Sequence, residues 1–129
     1  RKRAVTVNTV LTSAARTATV STDVTNYNGR SFAVILNITA APNTASTITI
    51  QIRAKDSISS NYVTLVASAA ILGSTSQSPP YTNRYRVALG IAVTANESAN
   101  DALARTMNVN VVHSNSDSWT YSISTDIGV

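Results

Sequence analysis

Residues 46–55 read Ser-Thr-Ile-Thr-Ile-Gln-Ile-Arg-Ala-Lys, in which polar and apolar side chains alternate. The three isoleucines, at positions 48, 50 and 52, are separated by hydroxyl, amide and guanidinium side chains. Because successive side chains of a β-strand point to opposite faces, this period of two predicts a strand with one face in a core and the other in water. The segment is also rich in β-branched residues, which favour strands.

Similar patterns on both sides of this segment predict further strands. Residues 85–93 carry apolar side chains at every odd position, and residues 107–111 alternate Met or Val with Asn. Residues 32–38 are apolar at nearly every position, which predicts a strand covered on both faces. Shorter candidates are residues 4–12, 17–21, 62–67 and 119–124. The predicted core consists of Val34, Leu36, Ile38, Ile48, Ile50, Ile52, Leu65, Val87, Leu89, Ile91, Val109 and Val111.

Turn-forming residues separate these segments at the spacing of an all-β domain. Asn28-Gly29, Pro42-Asn43 and the polar residues 56–61 and 113–118 favour reversals. Residues 73–81 predict a flexible or extended connection, and residues 96–104 permit a short helical turn. We therefore predict a single-domain β-sandwich or jelly roll of about seven or eight short antiparallel strands, ahead of an up-and-down barrel. Within this one domain, residues 1–13 are predicted to form a basic arm and first strand, and residues 14–129 the sandwich.

The composition excludes several classes of protein. Charged residues make up 12% of the 129 residues, whereas the chain has 18 Thr, 17 Ser and 12 Asn. The absence of Cys excludes disulfide scaffolds and thiolate metal sites. No apolar run approaches the roughly 18 residues that cross a bilayer, so no membrane partner is expected. The net charge is +4, but the cations are dispersed except for Arg1-Lys2-Arg3, which disfavours direct nucleic-acid binding.

No pattern of reactive side chains predicts an enzyme. The one histidine, His113, has Ser114, Ser116 and Asp117 as neighbours. A catalytic triad needs side chains that converge from separate elements, whereas neighbours in a turn diverge. The six carboxylates are scattered without metal-ligand spacing, and the four glycines form no phosphate-binding loop. We predict no catalytic residue, no metal and no cofactor.

The remaining signals concern surfaces. Trp119 and Tyr121 share one face of a predicted strand, which favours burial in the core or a subunit interface over an exposed sugar-binding platform. Thr, Ser and Asn dominate the outward positions of the strands. Removing neutral polar side chains from water costs less free energy than removing ionised ones. Such faces suit packing between subunits. The run Arg1-Lys2-Arg3 could reach an acidic neighbouring subunit or could simply be a solvated end.

Several segments together resemble a family of small virion proteins encoded among the head genes of tailed bacteriophages. The resemblance extends from about residue 14 to residue 123, and its motifs are structural. It is carried by residues 15–19 (ARTAT), 25–30 (TNYNGR), 54–56 (AKD), 62–71 (YVTLVASAAI), 99–106 (ANDALART) and 109–113 (VNVVH), followed by Ser118 and residues 120–122 (TYS). Residues 57–60 (SISS) depart from the family, which has a turn with Pro and Gly there.

The resemblance implies a non-enzymatic decoration or cement protein on the outer surface of a virion. Its partner would be a separate major capsid protein, and it would act as a homo-oligomer, a trimer or dimer. Two alternatives remain open: a carbohydrate-binding or adhesive domain of a fibre, and a self-assembling coat protein that packages nucleic acid. We predict the protein contacts in three regions, which comprise Arg1, Lys2 and Arg3; Pro79, Pro80 and Tyr81; and Asn96, Asn100 and Asp101.

Overall fold

The computed structural model describes residues 5–26, 29–73 and 81–128, and these ranges contain strands and turns but no helix. Within these ranges, eight long strands and two strands of two residues each follow one another. They are β1 (Val5–Arg16), β2 (Val20–Thr25), β3 (Ser31–Ala40), β4 (Thr47–Lys55), β5 (Tyr62–Ala67), β6 (Ile71–Leu72), β7 (Tyr81–Ala88), β8 (Ser98–Ala99), β9 (Thr106–His113) and β10 (Trp119–Gly128).

The strands form two packed sheets with nested pairing. Sheet A has the order β1-β10-β3-β7-β8, and sheet B has the order β2-β9-β4-β5, with β6 paired to β4. Among the eight long strands, the first pairs with the last, the second with the seventh, the third with the sixth and the fourth with the fifth, and all four pairs are antiparallel. These pairs alternate between the two sheets, which is the winding of a jelly roll. The predicted fold class is confirmed.

The core lies between the sheets and is filled by alternate residues of the strands. In β4 the isoleucines at 48, 50 and 52 are buried, and the residues between them are only half-buried, as the period of two predicts. Opposite them, β3 contributes Phe32 and every second residue up to Ile38. The predicted core residues that are buried are Val34, Leu36, Ile38, Ile48, Ile50, Ile52, Val87, Val109 and Val111.

The prediction of a strand over residues 85–93 was wrong beyond Ala88, where β7 ends. Leu89 is 68% exposed, and Ile91 is only half-buried, so neither is a core residue. The cause is a turn at Gly90, whose φ of 80° lies in the left-handed region. The Asn100 side chain fixes this turn by accepting a hydrogen bond from the Gly90 amide at 2.9 Å.

Other boundaries differ from the predictions because strand pairing extends or shifts them. β1 reaches Arg16, which pairs with Trp119, and β2 lies over Val20–Thr25 instead of residues 17–21. The predicted helical turn in residues 96–104 is a hydrogen-bonded turn at residues 95–97 followed by β8. Leu65 is half-buried, because it lies on the edge strand β5.

Candidate functional site

The structure locates four of the nine predicted contact residues; Arg1, Lys2, Arg3, Pro79 and Pro80 lie outside the described residues. Tyr81 is the first residue of β7, and its hydroxyl accepts a hydrogen bond from the Asn83 amide at 3.2 Å. Asn96 is exposed in the turn before β8, with a φ of 62°. Asp101, also exposed, accepts a hydrogen bond from the Ala102 amide at 2.8 Å. Asn100 holds the Gly90 turn.

One cavity of about 320 Å³ brings two of the three predicted regions together. It is lined by Ala69, Ala70, Ile71, Tyr81, Asn83, Tyr85, Ala95, Asn96 and Glu97. The cavity therefore joins Tyr81 to Asn96, but not to Asn100 or Asp101. Burial raises the pKa of Tyr85 to about 12, so this phenol remains protonated. Apart from Glu97, the polar lining is neutral and can form hydrogen bonds.

Sequence reasoning missed a pair of cations on the outward face of sheet A. Arg84 and Arg86 lie two residues apart on β7, and both are exposed. A groove of about 300 Å³ runs along them and is also lined by Asp126, Ile91 and Ala33 among others. A smaller groove of about 120 Å³, bordered by both arginines, contains Glu97. The alternation in β7 could have indicated the arginine pair, but the position of Asp126 and Glu97 beside it follows from the sheet order.

An exposed apolar loop, residues 89–93, follows β7, and its Ile91 lines the larger groove. Leu89 and Val93 are 68% and 65% exposed. The loop is held by hydrogen bonds that end at Ser98 in β8: the Thr94 amide donates to the Ser98 hydroxyl at 2.8 Å, and that hydroxyl donates to the Ala92 carbonyl at 3.2 Å. The exposure of the two side chains is therefore imposed by a fixed backbone.

The outward face of sheet B carries a hydrogen-bonded network centred on Asp23. Its carboxylate accepts hydrogen bonds from the Asn108 amide at 2.8 Å, the Tyr62 hydroxyl at 2.9 Å and the Lys55 ammonium at 3.1 Å. Partial desolvation raises the pKa of Asp23, but these three donors outweigh it and hold the pKa below its usual value. Arg53 donates to Asn108 at 2.9 Å and lies over the Tyr62 ring. The network ties β2, β9, β4 and β5 together.

His113 forms no triad with its sequence neighbours. Its Nε2 shares a hydrogen bond of 2.9 Å with the Tyr121 hydroxyl. Ser114 accepts a hydrogen bond from the Thr47 amide, and Asp117 accepts one from the Thr44 hydroxyl. Trp119 and Tyr121 are buried in the core, as predicted, and offer no exposed ring for a sugar.

Within residues 5–26, 29–73 and 81–128, no group of three or more His, Cys, Asp or Glu side chains could hold a metal ion. A search of the same ranges found no helix with the length and apolar character to span a membrane.

Comparison with known proteins finds the same fold in solved structures of viral particles. No protein-family profile and no curated protein sequence matches this chain. Among solved structures, the VP2 subviral particle of infectious bursal disease virus matches 99% of this chain and 33% of that chain, with a TM-score of 0.55 and 12% identity. The T13 viral particle of the same virus matches with a TM-score of 0.53 and 12% identity, over 100% of this chain and 31% of that chain.

The chain thus spans about a third of the length of the viral proteins that it resembles in structure. At this level of identity the likeness establishes a common fold. That fold is an all-β jelly roll of the kind present in VP2 of infectious bursal disease virus.

Proposed function

We propose that this chain is a non-enzymatic structural protein of a viral capsid. The observation that carries the proposal is the jelly-roll fold of this chain, which matches the VP2 subviral particle of infectious bursal disease virus over 99% of its residues with a TM-score of 0.55. The likeness in fold and the resemblance to phage head proteins are independent of each other and point to the same class of protein. Protein contacts, rather than a reactive centre, would then be the basis of its function.

The surface of the sandwich supports this proposal. The outward positions of β10 carry Thr120, Ser122 and Ser124, and all three are half-buried. Removing neutral hydroxyl side chains from water costs less free energy than removing ions. The hydrogen bonds that the hydroxyls make to water can be replaced by hydrogen bonds across a protein contact. On sheet B, the charges of Asp23 and Lys55 are already paired with each other. The hydroxyl positions of β10 and the Asp23–Lys55 pair can therefore be covered by protein without burying an unpaired charge.

In its finer form, the proposal is a decoration or cement protein on the capsid surface, with a major capsid protein as partner. The three predicted contact regions would bind neighbouring capsomers, and the cavity between Tyr81 and Asn96 would lie within that contact. A protein that binds the intact shell in preference to its separated parts stabilises the shell. Repetition of one weak contact over a symmetric lattice would increase the total affinity.

A self-assembling coat protein is the second candidate, and the fold favours it. Structures that match this fold include a viral particle and a subviral particle, and this chain matches one part of a longer protein in them. In a coat protein, the same faces would contact further copies of this chain, and the basic run at residues 1–3 would face nucleic acid.

Purified chain should be studied by native mass spectrometry and electron microscopy, alone and after addition to capsids that lack it. For a decoration protein, we expect a small oligomer alone and occupancy of a fixed, symmetric set of sites on the added capsids. Formation of closed shells by the chain alone would favour the coat protein instead. Failure both to form shells and to bind capsids would overturn the capsid role.

A further inference from the structure

The structure points to a docking surface for a second copy of this chain, formed by β7 and the apolar loop of residues 89–93. We infer that two copies meet through this surface across a two-fold axis. The inference concerns the chain itself and does not depend on the capsid role. We call this surface the β7 patch; it comprises Arg84, Arg86, the apolar loop, Glu97 and Asp126.

The first argument is the apolar loop. Leu89 and Val93 are each about two-thirds exposed, on a backbone held in place by Ser98 and Asn100. Burial of such side chains stabilises a contact roughly in proportion to the apolar area removed from water. Because the loop is already fixed, docking requires little further ordering of the backbone. The adjacent groove, partly lined by Ala33, Ala88 and Ile91, offers apolar surface that can receive a leucine side chain.

The second argument is charge. Arg84 and Arg86 form no ion pair or side-chain hydrogen bond with the described residues, and neither do Glu97 and Asp126. Arg84 and Arg86 border both grooves, whereas Asp126 borders the larger groove and Glu97 the smaller. The other four carboxylates each accept a hydrogen bond within the chain; they are Asp23, Asp56, Asp101 and Asp117. The β7 patch therefore holds two unpaired cations and two unpaired carboxylates.

The equal number of unpaired positive and negative groups identifies the occupant. A nucleic acid or an acidic protein would approach the arginines but would be repelled by Glu97 and Asp126. A basic partner would be repelled by the arginines. A second copy related by a two-fold axis that passes between the arginines and Asp126 places the arginines of each chain opposite Asp126 of the other, since such an interface joins one patch to itself. The β7 patch is complementary to its own copy.

Charge reversal on each half of the patch tests the inference. The acidic variant is Arg84→Glu with Arg86→Glu, and the basic variant is Glu97→Arg with Asp126→Arg. Each should repel its own copy, because all four charges in its patch then have one sign, and we expect dimerisation to weaken by more than about tenfold. An equimolar mixture should form a mixed dimer, because opposite patches then face each other.

Sedimentation velocity and native mass spectrometry would measure these states. The control, Ala45→Asp with Ser116→Asp, adds negative charge to exposed loops at the opposite end of the sandwich and should remain dimeric. Emission from Trp119 would verify that every variant is folded. A wild-type chain that stays monomeric or forms trimers would overturn the inference. So would variants that dimerise unchanged, or a mixture that fails to associate.

Discussion

His113 lies at the end of β9, where its side chain reaches the other sheet. Burial, and then the positive charge of Arg16, lower the pKa of His113 below its ordinary value of 6.5. Arg16 lies over the ring of Tyr121, the residue that shares a hydrogen bond with His113 Nε2. The imidazole Nδ1 is buried without a partner, so protonation would add both a buried N–H group and a second positive charge.

We therefore expect stability to fall as the pH decreases from about 7 to 5. In this range the unfolded chain binds a proton at His113 before the folded chain does, which favours unfolding; above the ordinary pKa of 6.5 the effect is absent. Asp23 and Asp56 have pKa values below the usual 3.8, so their stabilising contributions are lost only in more acidic solution. Thermal unfolding of wild type and His113→Gln between pH 7 and 5 would measure the effect. An equal slope in both proteins would contradict it.

Asn108 is fully buried on the outward side of sheet B, beneath the network that it joins. Its amide donates to Ser21 and Asp23, and its carbonyl oxygen accepts from Arg53. We expect Asn108→Ala to lower the free energy of unfolding by about 1–3 kcal/mol, because polar partners lose their hydrogen bonds in a buried place. Urea unfolding would measure this.

The matched control is Asn61→Ala. Asn61 is exposed, and only its backbone takes part in hydrogen bonds. Its substitution should change stability by no more than about 0.5 kcal/mol. If both variants lost a similar amount of unfolding free energy, the loss would reflect the replacement of any Asn, and the network would make no specific contribution to stability.

At the scale of single strands, Leu36 and Leu89 show how far an apolar pattern specifies burial. Both were predicted in the core; Leu36 is fully buried in β3, whereas Leu89 is exposed after the end of β7. We expect Leu36→Ala to cost about 2–5 kcal/mol, which includes the cavity left behind. Leu89→Ala should change stability by no more than about 0.5 kcal/mol at protein concentrations too low for association. Urea unfolding of both variants would test this, and comparable losses would mean that Leu89 is buried within the chain.

The contrast also explains what could be predicted from the sequence. β4 follows from a local pattern, because an alternating segment has one arrangement that buries its apolar face. The end of β7 depends on a hydrogen bond between Gly90 and Asn100, two residues ten positions apart that no local pattern connects. The length of β1 depends on pairing with β10, at the other end of the chain.

The candidate site was less predictable than the fold for the same reason. Tyr81 and Asn96 share a cavity because β8, which follows Asn96, pairs with β7, which begins at Tyr81. The residues around each of them in the sequence do not indicate that they lie close together. Likewise, Asp126 comes near Arg86 only because both pair with Ala33 from opposite sides of β3. Prediction of such groups requires the strand order and the register, in addition to the strands.

For the whole molecule, the nested pairing makes the two sheets depend on each other. β10 pairs with β1 and β3 across chain segments that contain strands of sheet B, and β9 pairs with β2 and β4 across segments that contain strands of sheet A. The buried residues of both sheets form one cluster. Neither sheet can keep its inner face out of water without the other. The chain should therefore unfold as one unit.

Trp119, the one tryptophan, reports on sheet A, whereas far-UV circular dichroism reports on both sheets. We expect the urea midpoints from the two signals to coincide. Ile50→Val, in the core of sheet B, should lower both urea midpoints by the same amount, which corresponds to a loss of about 0.5–1.5 kcal/mol in the free energy of unfolding. Ile58→Val, at a residue that is 96% exposed, should leave both urea midpoints unchanged. If Ile50→Val shifted the dichroism but left the Trp119 transition unchanged, the two sheets would be separate folding units, and the prediction of one domain would be wrong.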